Sequence, residues 1–136
     1  MYKRQHDTDH KIQNLIEQMT VEEKVGQLTL RGAGVVLGES APELDDLRAG
    51  KIGFLPMFDD LSKVNEMQRI AVEETRLGIP VVYCLDVIHG YRTAFPIPWS
   101  EAMSWEPDLA ERTAAAAAKE AASQGVGVTF APMVDI

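Results

Sequence analysis

The sequence predicts an α/β protein with a parallel sheet, and three observations carry that prediction. The run Val81-Val82-Tyr83-Cys84-Leu85 is short, wholly apolar and starts with two β-branched residues. Such a run reads as a strand buried on both faces, the kind that helices cover in parallel sheets. Two other strand-like runs, 52–57 and 126–132, are separated from it by segments of helical character. Asp86 directly follows the central run, which puts a carboxylate at a C-terminal strand end, where α/β proteins bind ligands.

The elements follow in order. Ile12, Leu15, Ile16 and Met19 recur at i, i+3, i+4 and i+7, which predicts a helix with one apolar face. Thr20 followed by Glu23 is a capping box. The first helix should therefore stop near Met19 and a second begin at Val21, burying Val25 and Leu28. Gly32, Gly34 and Gly38 mark a loop, and 41–49 reads as a short helix stopped by Gly50. The first strand is 52–57, weakened near its end by Pro56, which cannot donate to a ladder. Asp59 and Asp60 open a helix from Leu61 to Arg76, with Val64, Met67, Ala71 and Val72 on its buried side. Gly78 ends that helix and Pro80 starts the second strand, a βαβ spacing. Pro107 and Asp108 open a long alanine-rich helix to Gln124, closed by Gly125 and followed by the third strand.

Composition narrows the function classes. The chain has 136 residues, 46% hydrophobic and 25% charged, as in ordinary globular domains. Thirteen basic against 21 acidic residues give a net charge of −8 without any basic cluster, so no nucleic-acid partner is expected. No stretch approaches the roughly 18 apolar residues of a membrane helix, and no membrane partner is expected. Cys84 is the single cysteine, which excludes an internal disulfide and leaves the redox compartment open. Its apolar strand favours a small core residue over a reactive thiol. His6, His10 and His89 lack metal-ligand spacing, and no glycine-rich phosphate loop or nucleophile elbow is present. No metal or cofactor is therefore expected.

The residues that could carry chemistry lie in 86–101. Taken alone, Asp86 stands slightly closer to a turn or cap acid than to a ligand group. His89 could shuttle protons, but the favoured reading is a structural histidine bonded to backbone in a tight turn. Gly90 suits a backbone position with positive φ. Arg92 is evenly balanced between a bidentate donor to a carboxylate or sugar and an ion pair fixing the loop, with Asp86 as one partner. Trp99 and Trp105 could stack on a sugar face, although packing is the commoner role. Glu101 reads as a solvated acid.

Five collinear blocks then carry a resemblance: Met19–Leu28 (MTVEEKVGQL), Glu74–Pro80 (ETRLGIP), Leu85–Gly90 (LDVIHG), Arg92–Pro98 (RTAFPIP) and Thr129–Asp135 (TFAPMVD). In order and spacing the chain resembles the N-terminal part of glycoside hydrolase family 3, the β-glucosidase group. The resemblance implies a TIM-type (β/α)8 barrel, of which this chain would supply about the first three β/α units plus N-terminal helices. A closed barrel typically needs about 250 residues. Residues 11–136 would be the N-terminal portion of that barrel domain, truncated at its C-terminal side. Residues 1–10 are expected to be disordered or added sequence, because Met1–Gln5 matches what a transposon-based sequencing adapter encodes when read from a GTG start.

What the resemblance implies for function is a retaining exo-glycosidase releasing terminal β-linked glucose or a similar sugar. In the family the aspartate matching Asp86 holds sugar hydroxyls, and this shifts the balance to a substrate-binding Asp86, with Arg92 and His89 as further candidates. Ionised acceptors bind hydroxyls about twice as strongly as neutral ones. Retaining glycosidases use two carboxyl groups about 5–5.5 Å apart. The family's nucleophile and acid/base lie later, so these 136 residues would hold no catalytic residue and be inactive alone. The partner is a carbohydrate, a β-glucoside or oligosaccharide. Relatives occur in the periplasm, outside the cell or in the cytoplasm. The chain departs from the family at Pro98-Trp-Ser-Glu-Ala102, where Pro-Leu-Gly-Leu-Ala is usual, so subsite preference is open there. Asp135 matches an aspartate that precedes a charged segment shaping the sugar site. Two alternatives stay open: a non-catalytic sugar-binding or scaffold protein, and a β-N-acetylhexosaminidase within the family.

Overall fold

A computed structural model describes residues 2–32 and 44–134, which divide into two compact units at Val81/Val82. Parts of the glycine loop and of the helix expected over 41–49 lie outside the described residues, as does Asp135.

The first unit opens with α1 (Tyr2–Gln18) and α2 (Val21–Gln27). Helix α1 begins well before Lys11, where the sequence places the start of the domain. The two helices are separated by the capping box, as predicted: Glu23 N–H donates to Thr20 Oγ1 at 3.2 Å and Thr20 N–H to Glu23 Oε2 at 2.9 Å. The same carboxylate receives Arg76 at 2.5 Å, and Arg76 also donates to the Gln18 carbonyl at 2.8 Å. One acid thus starts α2 and ties its entry to the segment after the next long helix.

The inward face of α2 differs from the prediction. Leu28 is 84% exposed and Val25 59%, while Gly26 is the buried residue of the helix. Close backbone approach decides this, since a Cβ on Gly26 would lie 2.1 Å from the Gly50 carbonyl oxygen. Any side chain on that face would prevent the contact, so the apolar residues of α2 turn outward.

Beyond α2, Leu30 bridges Phe54 in parallel, flanking β1 (Phe54–Pro56). Helix α3 (Leu44–Arg48) buries Leu47 and stops at Gly50, whose φ is +69°. Asp60 caps α4 (Leu61–Glu73), accepting from Ser62 N–H at 2.9 Å. Its buried side is Val64, Met67, Ile70 and Ala71. Val72, predicted there, is exposed because it lies one residue, about 100°, past the stripe. The core of this unit is Leu47, Ile52, Leu55, Met57 and that α4 face, with Val81.

The second unit contains β2 (Val82–Leu85), α5 (Pro98–Ala102), α6 (Pro107–Ser123) and β3 (Val126–Thr129). Strands β2 and β3 pair in parallel, Cys84 with Val128 and Leu85 with Thr129. The second strand starts two residues later than predicted. The Gln68 side chain takes both backbone groups of Val81, accepting from its N–H at 2.9 Å and donating to its carbonyl at 3.1 Å. Tyr83 and Cys84, which point to opposite faces of β2, are both buried, matching the two-sided burial expected. Burial pushes the Tyr83 hydroxyl up to about 12. Burial, then the charge of Asp86, raises the Cys84 thiol, in keeping with an inert core residue.

Two features of this unit were not foreseen. The connection after Phe95 includes a helix, α5, with Pro98 at its first turn. Strand β3 ends at Thr129 rather than Pro132, because the Thr129 hydroxyl leaves the ladder pattern. It accepts from Ala131 N–H at 3.1 Å and donates to the Asp86 carbonyl at 2.9 Å, which turns the chain.

Candidate functional site

The C-terminal ends of β2 and β3 are fastened together by one backbone bond and one side-chain bond. Phe130 N–H donates to the Leu85 carbonyl at 3.1 Å, and Thr129 Oγ1 holds the Asp86 carbonyl. The main chain of Asp86 is thus fixed while its side chain is exposed and has no hydrogen-bond or ion-pair partner among the described residues. The next residue, Val87, has φ +47°. A β-branched residue in the left-handed region is a genuine outlier, and such strain gathers at ligand sites. Here it redirects the chain immediately after the acid.

From Val87 the segment folds back on itself. Phe95 N–H donates to the His89 carbonyl at 2.8 Å, and Gly90 bridges Ala94. Gly90 has φ +104°, and a Cβ there would meet the Thr93 carbonyl oxygen at 2.0 Å, so only glycine fits. His89 itself is exposed, and its imidazole makes no hydrogen bond among the described residues. The turn is held by its carbonyl rather than its ring. The Arg92 guanidinium lies over the neighbouring Tyr91 ring, 5.2 Å from its centroid, a cation–π arrangement. Among the described residues it forms no ion pair, and none with Asp86. Asp86, His89 and Arg92 therefore share one segment without being bonded to one another.

Glu120 of α6 was missed by the sequence reading. Its Oε2 accepts from Arg92 N–H at 3.1 Å and Thr93 N–H at 2.9 Å, and its Oε1 from Thr93 Oγ1 at 2.6 Å. The side-chain and then the backbone bond from Thr93 hold its carboxyl below the usual carboxylate range. The available signal was a carboxylate embedded in the alanine-rich stretch 114–122. Glu101 was read as solvated, and the structure corrects this. It is half-buried on α5 and accepts a short hydrogen bond from Thr113 Oγ1 of α6, because the new helix turns it toward its neighbour.

His89 and Glu101 line a cleft of about 480 Å³ whose other walls include Phe95 and Ala117. Asp86 is not among its walls. The cleft is mostly apolar, whereas saccharide hydroxyls require hydrogen-bonding groups, so the strand end is the stronger candidate site. No cluster of metal-ligating side chains exists among the described residues, and no helix among them is long and apolar enough to cross a membrane. Trp99 and Trp105 are 82% and 91% exposed, so neither is a packing residue within the described structure.

A parallel β/α arrangement with an unpartnered carboxylate at a strand's C-terminal end defines the class of α/β proteins that bind ligands at that edge. Residues 20–136 match the family model described as the glycosyl hydrolase family 3 N-terminal domain, and the chain belongs to that family. It is 34% identical over 125 residues to a periplasmic beta-glucosidase of Salmonella typhimurium, covering 92% of this chain and 16% of that protein. A beta-xylosidase of Formosa agariphila is 31% identical over 83 residues, covering 54% of this chain and 12% of that protein. Among solved structures, a beta-glucosidase from Listeria innocua in complex with isofagomine matches with a TM-score of 0.79 and 33% identity, over 93% of this chain and 18% of that one. A beta-glucosidase from Listeria innocua in complex with glucose matches with a TM-score of 0.76 and 31% identity, over 93% of this chain and 19% of that one. The chain thus spans less than a fifth of the length of these relatives. Its fold, a mixed α/β arrangement with a small parallel sheet, is that of the N-terminal TIM-barrel part of family 3 β-glucosidases.

Proposed function

We propose that the chain forms the saccharide-binding N-terminal part of a retaining β-glucosidase-like exo-glycosidase acting on terminal β-linked glucose. The observation that carries this reading is Asp86: an exposed carboxylate at the end of β2, unpartnered among the described residues, its backbone fixed from β3 and followed by a strained Val87. An ionised acid so placed accepts hydrogen bonds from sugar hydroxyls. Support comes from a beta-glucosidase from Listeria innocua solved with glucose, and from a mutant beta-glucosidase from Listeria innocua solved with laminaribiose. Arg92 is proposed as a second contact to the sugar and His89 as a flanking one. The 136 residues bind without hydrolysing, since the family's nucleophile lies on a later barrel strand and its acid/base outside the first domain or on another late loop.

The test is a glucose titration of the chain followed by NMR. Asp86→Ala should weaken binding at least about tenfold, as expected for losing hydrogen bonds to a charged acceptor. Unchanged affinity in that variant overturns the reading. Turnover of an aryl β-glucoside by the purified chain would refute the non-catalytic part of it. A second reading, a β-xyloside as substrate, is supported by the Formosa agariphila relative. Titrating xylose beside glucose separates the two.

A further inference from the structure

We propose that Glu120 is a positioning residue for saccharide binding: from α6 it clamps the backbone of Arg92 and Thr93 and so fixes how Arg92 is presented. This rests on the reading of the Asp86 end of β2 as a saccharide site.

The geometry supplies the argument. Two consecutive backbone N–H groups, those of Arg92 and Thr93, converge on one carboxylate oxygen, while the Thr93 hydroxyl donates to the other. Successive amides pointing into one anion form a concavity that selects negative charge. Each bond is charge-assisted, so the set is stronger than the same number of neutral bonds. Within the segment the Phe95 to His89 bond and the Gly90–Ala94 bridge close the turn, and Gly90 at φ +104° allows it to bend, while Glu120 is what holds the Arg92 and Thr93 amides from outside it.

The other partner is stiff. Helix α6 runs for 17 residues, and Ala117 and Ala121, three before and one after Glu120, are its buried positions. Glu120 therefore sits at the margin of the packed stripe, where its backbone cannot drift. Among the described residues it has no cationic partner, so its bonding capacity goes to the loop. The bonds from Thr93 lower its titration below the ordinary value of 4.5, and at neutral pH, ionised as any glutamate is, it can only accept. Deleting the carboxylate would free two amides and a hydroxyl, leaving Arg92 in a segment with many conformations.

The test uses the ¹⁵N-labelled chain, glucose as probe, and the variants Glu120→Ala, Glu120→Gln and Thr93→Val. The amide protons of Arg92 and Thr93 should move together with pH, with one midpoint below that of an ordinary glutamate. Glu120→Gln, which keeps the shape and accepting oxygen, should abolish that titration while retaining most of the glucose affinity. Glu120→Ala should weaken glucose binding about tenfold, and Thr93→Val by less. Amides that do not titrate overturn the clamp. Titrating amides with glucose affinity unchanged in Glu120→Ala overturn the positioning role, while a loss of binding in Asp86→Ala would still uphold the saccharide site. If the wild-type chain binds no glucose, the saccharide reading fails and takes the positioning role with it, and an intact amide titration then marks Glu120 as a purely structural clamp.

Discussion

The two compact units use their acidic residues differently. In residues 1–81 acids bonded to backbone, such as Asp60 at Ser62, stand beside many ion pairs: Glu23 pairs with Arg76, Glu74 with Arg48 and Arg69, Glu66 with Arg69 and Asp46 with Lys51. In residues 82–136 no ion pair occurs among the described residues, and the acids meet backbone amides and hydroxyls, Glu120 at Arg92 and Thr93 and Glu101 at Thr113. The hydrophobic division is parallel. Leu47, Leu55 and Ile70 are fully buried in the first unit, although Val25 of α2 and the following Leu28 are exposed, while the second buries Tyr83 and Cys84 of β2 and little of α6 beyond Ala117 and Ala121, and exposes Trp99, Met103 and Trp105. The first unit is organised as a scaffold with its own core. The second spends its polar groups on fixing a loop, leaving the Asp86 carboxylate without a partner among the described residues and the Arg92 guanidinium over the Tyr91 ring.

Four substitutions or conditions sharpen or break that contrast. The largest effect should come from Leu55→Ala, which opens a cavity at a fully buried site and should cost about 2–5 kcal/mol in urea unfolding. A cost no greater than that of truncating exposed Met103 would erase the distinction between the units. Gly26→Ala forces a Cβ into the Gly50 carbonyl and should cost about 1–3 kcal/mol by the same measurement. In the second unit, Trp105→Gly should stabilise by up to about 1 kcal/mol, since Trp105 sits at φ +57° and is almost wholly exposed. Destabilisation by that change would reveal packing of the indole.

The smallest effect is in acid. Glu23, Glu66 and Glu74 are held below their ordinary value of 4.5, in each case chiefly by hydrogen bonds from arginine. Their folded pKa lies below the unfolded one, so the stabilisation is complete above about pH 4.5 and is lost as pH falls through the lowered values. Because these pairs are surface pairs, the loss should be modest. Protection of first-unit amides against hydrogen exchange should fall between pH 5 and pH 3 by more than their intrinsic exchange accounts for. A flat profile would show that the arginine pairs contribute nothing.

Much of the architecture was legible in local chemistry. The Thr20/Glu23 box, the Asp60 cap, the stop at Gly50 and the positive φ of Gly90 depend on one residue type meeting one backbone need, and that need is written in a few neighbouring positions, whereas α4 ends at Glu73, before the stop expected at Gly78. The position of Asp86 after an apolar strand was legible in the same way, while its candidacy as a ligand group came from the family resemblance. Partnerships over long sequence separations were not. Arg92 had Asp86 as a candidate partner and instead lies over Tyr91, while the anchor for its backbone comes from Glu120, 28 residues away.

By itself the sequence determined the order of the strands and of every helix except α5, the family, and the acid that follows β2, because periodicity, caps and glycine needs act within a turn or two of chain. The tertiary structure decided which faces turn inward and which acids are free. Gly26 faces inward because a carbonyl from Gly50 approaches too closely for any side chain. Val81 is withheld from β2 by the Gln68 amide. Glu120 is consumed by a loop, and Asp86 is not. Each outcome depends on which distant groups the fold brings within hydrogen-bonding reach, and pattern along the chain carries no record of that distance.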